Sequence, residues 1–146
     1  MRFITTIISV LFISITMNIE AQNGPIVTLS TVTSTASSAV IPITAADFNN
    51  IKSFDLKISY DPSVVTPTTI VKGADLNGSL TYGINVPGVI KIIWNAPAGS
   101  VSSLSNGAEL LNISFDKVSL GTSDWLFDET ADIYDCQFYN SNYDEL

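Results

Sequence analysis

In the stretch Lys52-Ser53-Phe54-Asp55-Leu56-Lys57-Ile58-Ser59-Tyr60, polar and apolar side chains alternate strictly from Ser53 onward. In an extended chain, successive side chains point to opposite faces. Phe54, Leu56, Ile58 and Tyr60 therefore share one face, and Ser53, Asp55, Lys57 and Ser59 share the other. Such alternation demands a half-buried strand with one dry and one wet side. Asp61-Pro62 then ends it with turn chemistry. The hydrophilic side of this strand is the first place to look for a contact surface.

The flanking sequence has the same character. It is rich in Thr, Ser, Val and Ile and punctuated by Gly, Pro, Asn and Asp, and no long helical period is present. Val27, Leu29 and Thr31 share a face in a first strand, and Ala39, Ile41 and Ile43 in a second. Pro42 lies on the other face of the second, which suits an edge or a strand end because proline cannot donate to a ladder. Val64 to Val71 is extended and interrupted by Pro67, and Leu76-Asn77-Gly78-Ser79 reads as a hairpin turn. Strands follow at Tyr82 to Asn85 and Val89 to Asn95, separated by Pro87-Gly88. In the latter, Ile90, Ile92 and Trp94 point inward, and Lys91, Ile93 and Asn95 point outward. Ile93 is the odd member, an apolar side chain on a wet face. After a small-residue loop from Pro97 to Gly107, Glu109 to Lys117 forms a strand with Leu111, Ile113 and Phe115 inward. Trp125 to Phe127 and Cys136 to Tyr139 close the sheets, and the sequence does not decide whether Asp47 to Ile51 makes one helical turn. Many short strands with regular turn signals predict an all-β, two-sheet sandwich in a single domain over residues 22–146.

The first 21 residues read differently. Arg2, the mostly apolar run from Ile4 to Ile19 and the small residue Ala21 have the order of a secretory signal, with cleavage before Gln22. The run is shorter than the roughly 20 residues that span a bilayer. The expected product is an exported, bacterial-type domain with no span left after signal removal. Cys136 is the only cysteine, so apolar packing and not an intrachain disulfide must hold the fold.

Composition excludes several functions. The net charge is −8, and seven acidic residues lie from Asp124 onward, beyond the last lysine, Lys117. Such a surface repels nucleic-acid backbones. The chain has no histidine, which removes Ser-His-Asp and Cys-His catalysis and, with one cysteine, a thiolate or imidazole zinc site. No phosphate loop or nucleophile elbow occurs. Asp124, Asp128, Glu129, Asp132 and Asp135 are oxygen donors, but their spacing matches no calcium loop. No enzyme activity, metal or cofactor is expected, and a binding role is left.

Two stretches carry a family resemblance: Ala39-Val40-Ile41-Pro42-Ile43-Thr44, and Ile51 through to Tyr60-Asp61-Pro62. They resemble the second and third strands of a cohesin domain, and Gly88 to Trp94 and Gly107 to Phe115 are similar to later ones. The resemblance implies a nine-stranded jelly-roll sandwich that binds a dockerin-bearing protein in polysaccharide-degrading assemblies. It implies docking through a flat sheet face that includes the third strand. Asp55 falls at a typical contact position, Ser53 stands where the family carries Asn, Ile93 matches an apolar contact, and Gly99 matches a loop glycine. The partner-binding set is therefore Ser53, Asp55, Lys57, Ser59, Lys91, Ile93, Asn95 and Gly99. Carbohydrate-binding modules share this architecture, and a structural or adhesion domain is a third reading. A sugar-binding face requires exposed aromatics in line, with Tyr82, Tyr134, Tyr139 and Tyr143 as candidates, whereas the parity of Trp94 places it in the core.

Overall fold

A computed structural model describes residues 24–32, 37–128 and 136–146. The signal-type segment lies outside the described residues. Nine antiparallel strands form two sheets: β1 (Ile26–Leu29), β2 (Ser38–Ala46), β3 (Ser53–Ser59), β4 (Val65–Lys72), β5 (Ser79–Val86), β6 (Val89–Asn95), β7 (Ala108–Lys117), β8 (Leu126–Phe127) and β9 (Gln137–Tyr139). One sheet runs β1-β2-β7-β4. The other runs β5-β6-β3-β8, with β9 also paired to β3. The all-β sandwich expected from the alternation is the fold observed.

The core lies between the sheets and is built from the expected inward sets. Phe54, Leu56, Ile58 and Tyr60 of the deciding stretch are all buried, as are Ile90, Ile92 and Trp94. Trp94 stacks on Phe54 at a centroid distance of 5.3 Å, and Phe48 and Phe138 pack around the pair. The Trp94 indole Nε1–H donates to the carbonyl of Asn77 at 2.9 Å, so the one polar group of this large ring is satisfied. Sheet-on-sheet burial of this kind supplies most of the folding free energy where no disulfide contributes.

The prolines sit where their chemistry allows. Pro42 faces Asn112 in the β2–β7 ladder, and its carbonyl accepts from Ser30 N–H at 3.2 Å. The β1 ladder reaches only Ile43, so the missing proline donor falls where β1 ends. Pro67 lies on the edge strand β4, beside a register shift between Pro67 and Thr69.

Three local expectations are corrected, and the open question at Asp47 to Ile51 is answered. Leu76 to Ser79 is not a hairpin: β4 and β5 belong to different sheets, and this segment carries the chain across the sandwich. Asp47 to Ile51 forms no helical turn. Asp47 and Asn50 adopt φ of 55° and 54°, left-handed values that break a right-handed turn. Their N–H groups are instead satisfied by Asn106 Oδ1 and Ser103 Oγ, each at 2.9 Å, while Phe48 and Ile51 fill the core. Thr31 lies beyond the end of β1 and is exposed. In β7, a bulge opposite Ile43 and Thr44 turns Leu110 inward as well, a residue the simple alternation places outside.

Gly73 marks the tightest approach in the fold. Its N–H donates to the carbonyl of Leu110 at 2.8 Å, and a β-carbon there would lie 1.8 Å from the carbonyl oxygen of Glu109. The obstacle is backbone, which cannot swing aside. Gly73→Ala is expected to destabilise the domain by about 1–3 kcal/mol or more, read as a lower denaturation midpoint with an unchanged m-value.

Candidate functional site

The five-stranded sheet presents its outer face as rows of side chains set by strand register. One row runs Ser79, Asn95, Ser53, Tyr139. The next runs Thr81, Ile93, Asp55, Gln137. A third runs Gly83, Lys91, Lys57. A fourth places Ser59 between Val89 and Leu126. The alternation of two strands is thereby converted into one continuous surface, because β3 and β6 pair residue for residue without a bulge.

The sequence-derived residues fall on this surface with one exception and one correction. Asp55, Lys57, Ser59, Lys91, Ile93 and Asn95 all project from it. Lys91, Ile93 and Asn95 are exposed, and Asp55, Lys57 and Ser59 are partly covered. Ser53 belongs to the same face by parity but is only 9% exposed, so it is not the open position that its alternation suggests. The reason is local: Asn95 and Tyr139, both larger, flank it from the two neighbouring strands. Gly99 does not sit on the sheet. It lies in the loop after β6, with φ of 73° and open space where a β-carbon would stand. Lys52 ties that loop down by donating from Nζ to the carbonyls of Ser100 (2.7 Å) and Pro97 (3.2 Å).

Neighbours that the alternation of β3 and β6 does not reveal complete the site. Lys57 Nζ pairs with Asp128 Oδ2 at 2.8 Å, and the two side chains are only 15% and 24% exposed. Asp128 N–H also donates to the Lys57 carbonyl at 2.9 Å, so Asp128 is fastened to Lys57 of β3 at two points. Tyr139 donates its hydroxyl to Gln137 Oε1 at 2.6 Å. Burial pushes the Asp55 carboxyl above its ordinary value of 3.8. The Tyr139 phenol is also raised, first by burial and then by the nearby charges of Asp55 and Glu145. The short run 137–139 alternates around the buried Phe138, and that pattern alone marks Gln137 and Tyr139 as outward.

The described residues do not assemble the other site types. Among them, no cluster of three or more metal-ligating side chains occurs. Asp128 is engaged by Lys57, and Glu129, Asp132 and Asp135 lie outside the described residues. A flat aromatic strip is not formed either. Trp94 is 0% exposed, Trp125 packs on Tyr60 and Phe115, and Tyr82 and Tyr139 have opposite parities relative to the sheet. Tyr134 lies outside the described residues. No helix of the described residues is long and apolar enough to cross a membrane.

Comparison with solved structures places this architecture among cohesins. The sixth cohesin of scaffoldin B from Acetivibrio cellulolyticus, solved with the Cel5 dockerin, superposes with a TM-score of 0.69 at 17% identity, covering 84% of this chain and 91% of that one. A type I cohesin–dockerin complex from Clostridium thermocellum gives 0.70 at 15% identity, covering 85% and 92%. CaCohA2 from Clostridium acetobutylicum, solved in solution, gives 0.68 at 21% identity, covering 83% and 82%. At these identities the likeness is one of fold. No match is found among curated proteins. The sequence itself matches the family model of the cohesin domain over residues 25–135, from just before β1 to just before β9. A match over most of the chain, on a sandwich of the same design, establishes that this protein belongs to the cohesin domain family.

Proposed function

We propose that this chain is a non-catalytic, exported binding module that docks a dockerin-bearing protein through the outer face of its five-stranded sheet. The observation that carries the reading is the row Thr81, Ile93, Asp55, Gln137. It sets an exposed apolar side chain directly beside a half-covered carboxylate on the two central strands of this face. An apolar centre within a polar surround is the usual anatomy of a protein contact. Membership of the cohesin family, which consists of binding modules, and the lack of any histidine support a role without catalysis. Export rests on the signal-type order of residues 1–21.

Calorimetric titration of the domain against a panel of calcium-loaded dockerins tests the proposal. A dockerin that binds with micromolar or tighter affinity is the expected result. An interface of standard size, about 1,600 Å² in total, is compatible with that strength. A panel in which none binds would overturn it.

Asp55 gives the titration a pH signature. A partner donor or cation favours the ionised carboxylate, so affinity is full above the Asp55 pKa and falls as pH drops through it. Because burial raises that pKa, the loss sets in at a higher pH than for an ordinary aspartate. Asp55→Asn is expected to bind more weakly at neutral pH and to remove this component of the pH dependence, measured with the same dockerin in parallel. The sign for stability is opposite. The folded chain takes up this proton more readily than the unfolded chain, so the Asp55 contribution to stability declines as pH rises through the carboxylate range.

A further inference from the structure

A second feature borders the docking rows at Leu126, where the two sheets part at the end of β1. There a cavity of about 480 Å³ opens between the β1–β2 edge and residues 121–126. That volume is within the range of small-molecule sites, about 300–1,000 Å³. Its lining combines two chemistries. Trp125, Phe115 and Val64 provide apolar surface, and Lys117, Thr122 and Asp124 bring a cation, a hydroxyl and an anion to the same space.

Trp125 is held as a fixed platform. Its ring stacks on Tyr60 at 5.3 Å and 21°, and it meets Phe115 at 5.8 Å and 46°. Its indole N–H forms no hydrogen bond to the described residues and is not fully buried. Neither Lys117 nor Asp124 forms an ion pair among the described residues. Residues carrying an indole N–H, a cation, a hydroxyl and an anion therefore line one cavity.

The lining selects its ligand by exclusion. A purely apolar molecule would strip water from Lys117, Asp124 and Thr122 and return no hydrogen bonds. A phosphate or other anion meets a chain of net charge −8. A neutral polyhydroxylated molecule fits both halves, since it offers a C–H face to an aromatic ring and hydroxyls that donate and accept. We infer that this cavity is a binding site for a short neutral saccharide, distinct from the central docking row of Thr81, Ile93, Asp55 and Gln137.

The two tryptophans provide the readout, because Trp94 is buried and Trp125 lines the cavity. The indole N–H signals of the whole domain are followed by ¹⁵N NMR during addition of cellobiose to about 10 mM, ten times a millimolar Kd. Trp125→Phe assigns the two signals. The expected result is a saturable shift of the Trp125 signal with Trp94 unmoved. Asp124→Ala combined with Thr122→Val, both exposed positions, is expected to weaken binding about tenfold or more. Dockerin affinity is expected to be unchanged by cellobiose. An unmoved Trp125 signal would overturn the inference, as would an equal shift with cyclohexanol or undiminished binding in the double variant.

Discussion

Trp94→Ala is expected to cost about 3–5 kcal/mol of stability, the range for truncating a large buried aromatic. Against a typical domain stability of about 5–15 kcal/mol, this leaves much of the protein unfolded at moderate temperature. The size follows from where the ring sits. Trp94 is fully buried, stacks on Phe54, meets Phe48 edge to face, and donates to Asn77. Its removal opens a cavity bounded by both sheets, and it strips the crossover between β4 and β5 of its hydrogen bond to the opposite strand. Gly78 adjoins this crossover with a φ of 112°, and a β-carbon there would lie 2.2 Å from the Asn95 carbonyl oxygen, so the segment has little room to collapse into the space. Trp94→Phe keeps the stacking and loses the donor, and is expected to cost much less. Guanidinium denaturation followed by far-ultraviolet circular dichroism measures both, since the signal does not depend on the residue replaced.

Ile93→Asp is expected to abolish docking while leaving the fold intact. Ile93 is 39% exposed, so the change removes little core packing. It faces Asp55 directly across the β3–β6 ladder, and the new carboxylate would stand beside an existing one at the centre of the surface. A partner that covers Ile93 would have to desolvate both charges. The expected loss is at least about 2 kcal/mol, some thirtyfold in Kd. Asp55→Ala is expected to weaken binding in the same direction with a smaller penalty, because it leaves no second charge to bury. Titration of both variants against the dockerin that binds the parent chain, with melting curves recorded in parallel, separates loss of contact from loss of fold.

The parts of the fold legible in the sequence are those set by strict alternation. β3 has an uninterrupted period-two pattern and β6 one broken only by the outward Val89 and Ile93, and both pair along their full length with the inward sets buried as the pattern requires. What escaped was set by tertiary context. The segment at Leu76 to Ser79 has hairpin chemistry, yet it changes sheets because β4 is claimed by β7 and β5 by β6. The Asp47 to Ile51 stretch has helix-like spacing, but distant Asn106 and Ser103 capture its backbone N–H groups. In the candidate site, the parity of Asp55, Lys57 and Ile93 is readable, but their surroundings are not. The Lys57–Asp128 pair joins residues far apart in the chain, and the cover over Ser53 comes from Asn95 and Tyr139 on two different strands. Neither arrangement has a local signature.

Backbone amide mapping by ¹⁵N NMR, with a binding dockerin added stepwise to the labelled domain, addresses the docking face most directly. The expected result is a contiguous set of perturbed amides on β3 and β6, centred on Asp55 and Ile93 and extending to Thr81 and Gln137. Perturbation centred instead on the outer side of the four-stranded sheet, around Val40, Val71 and Asn112, would contradict it.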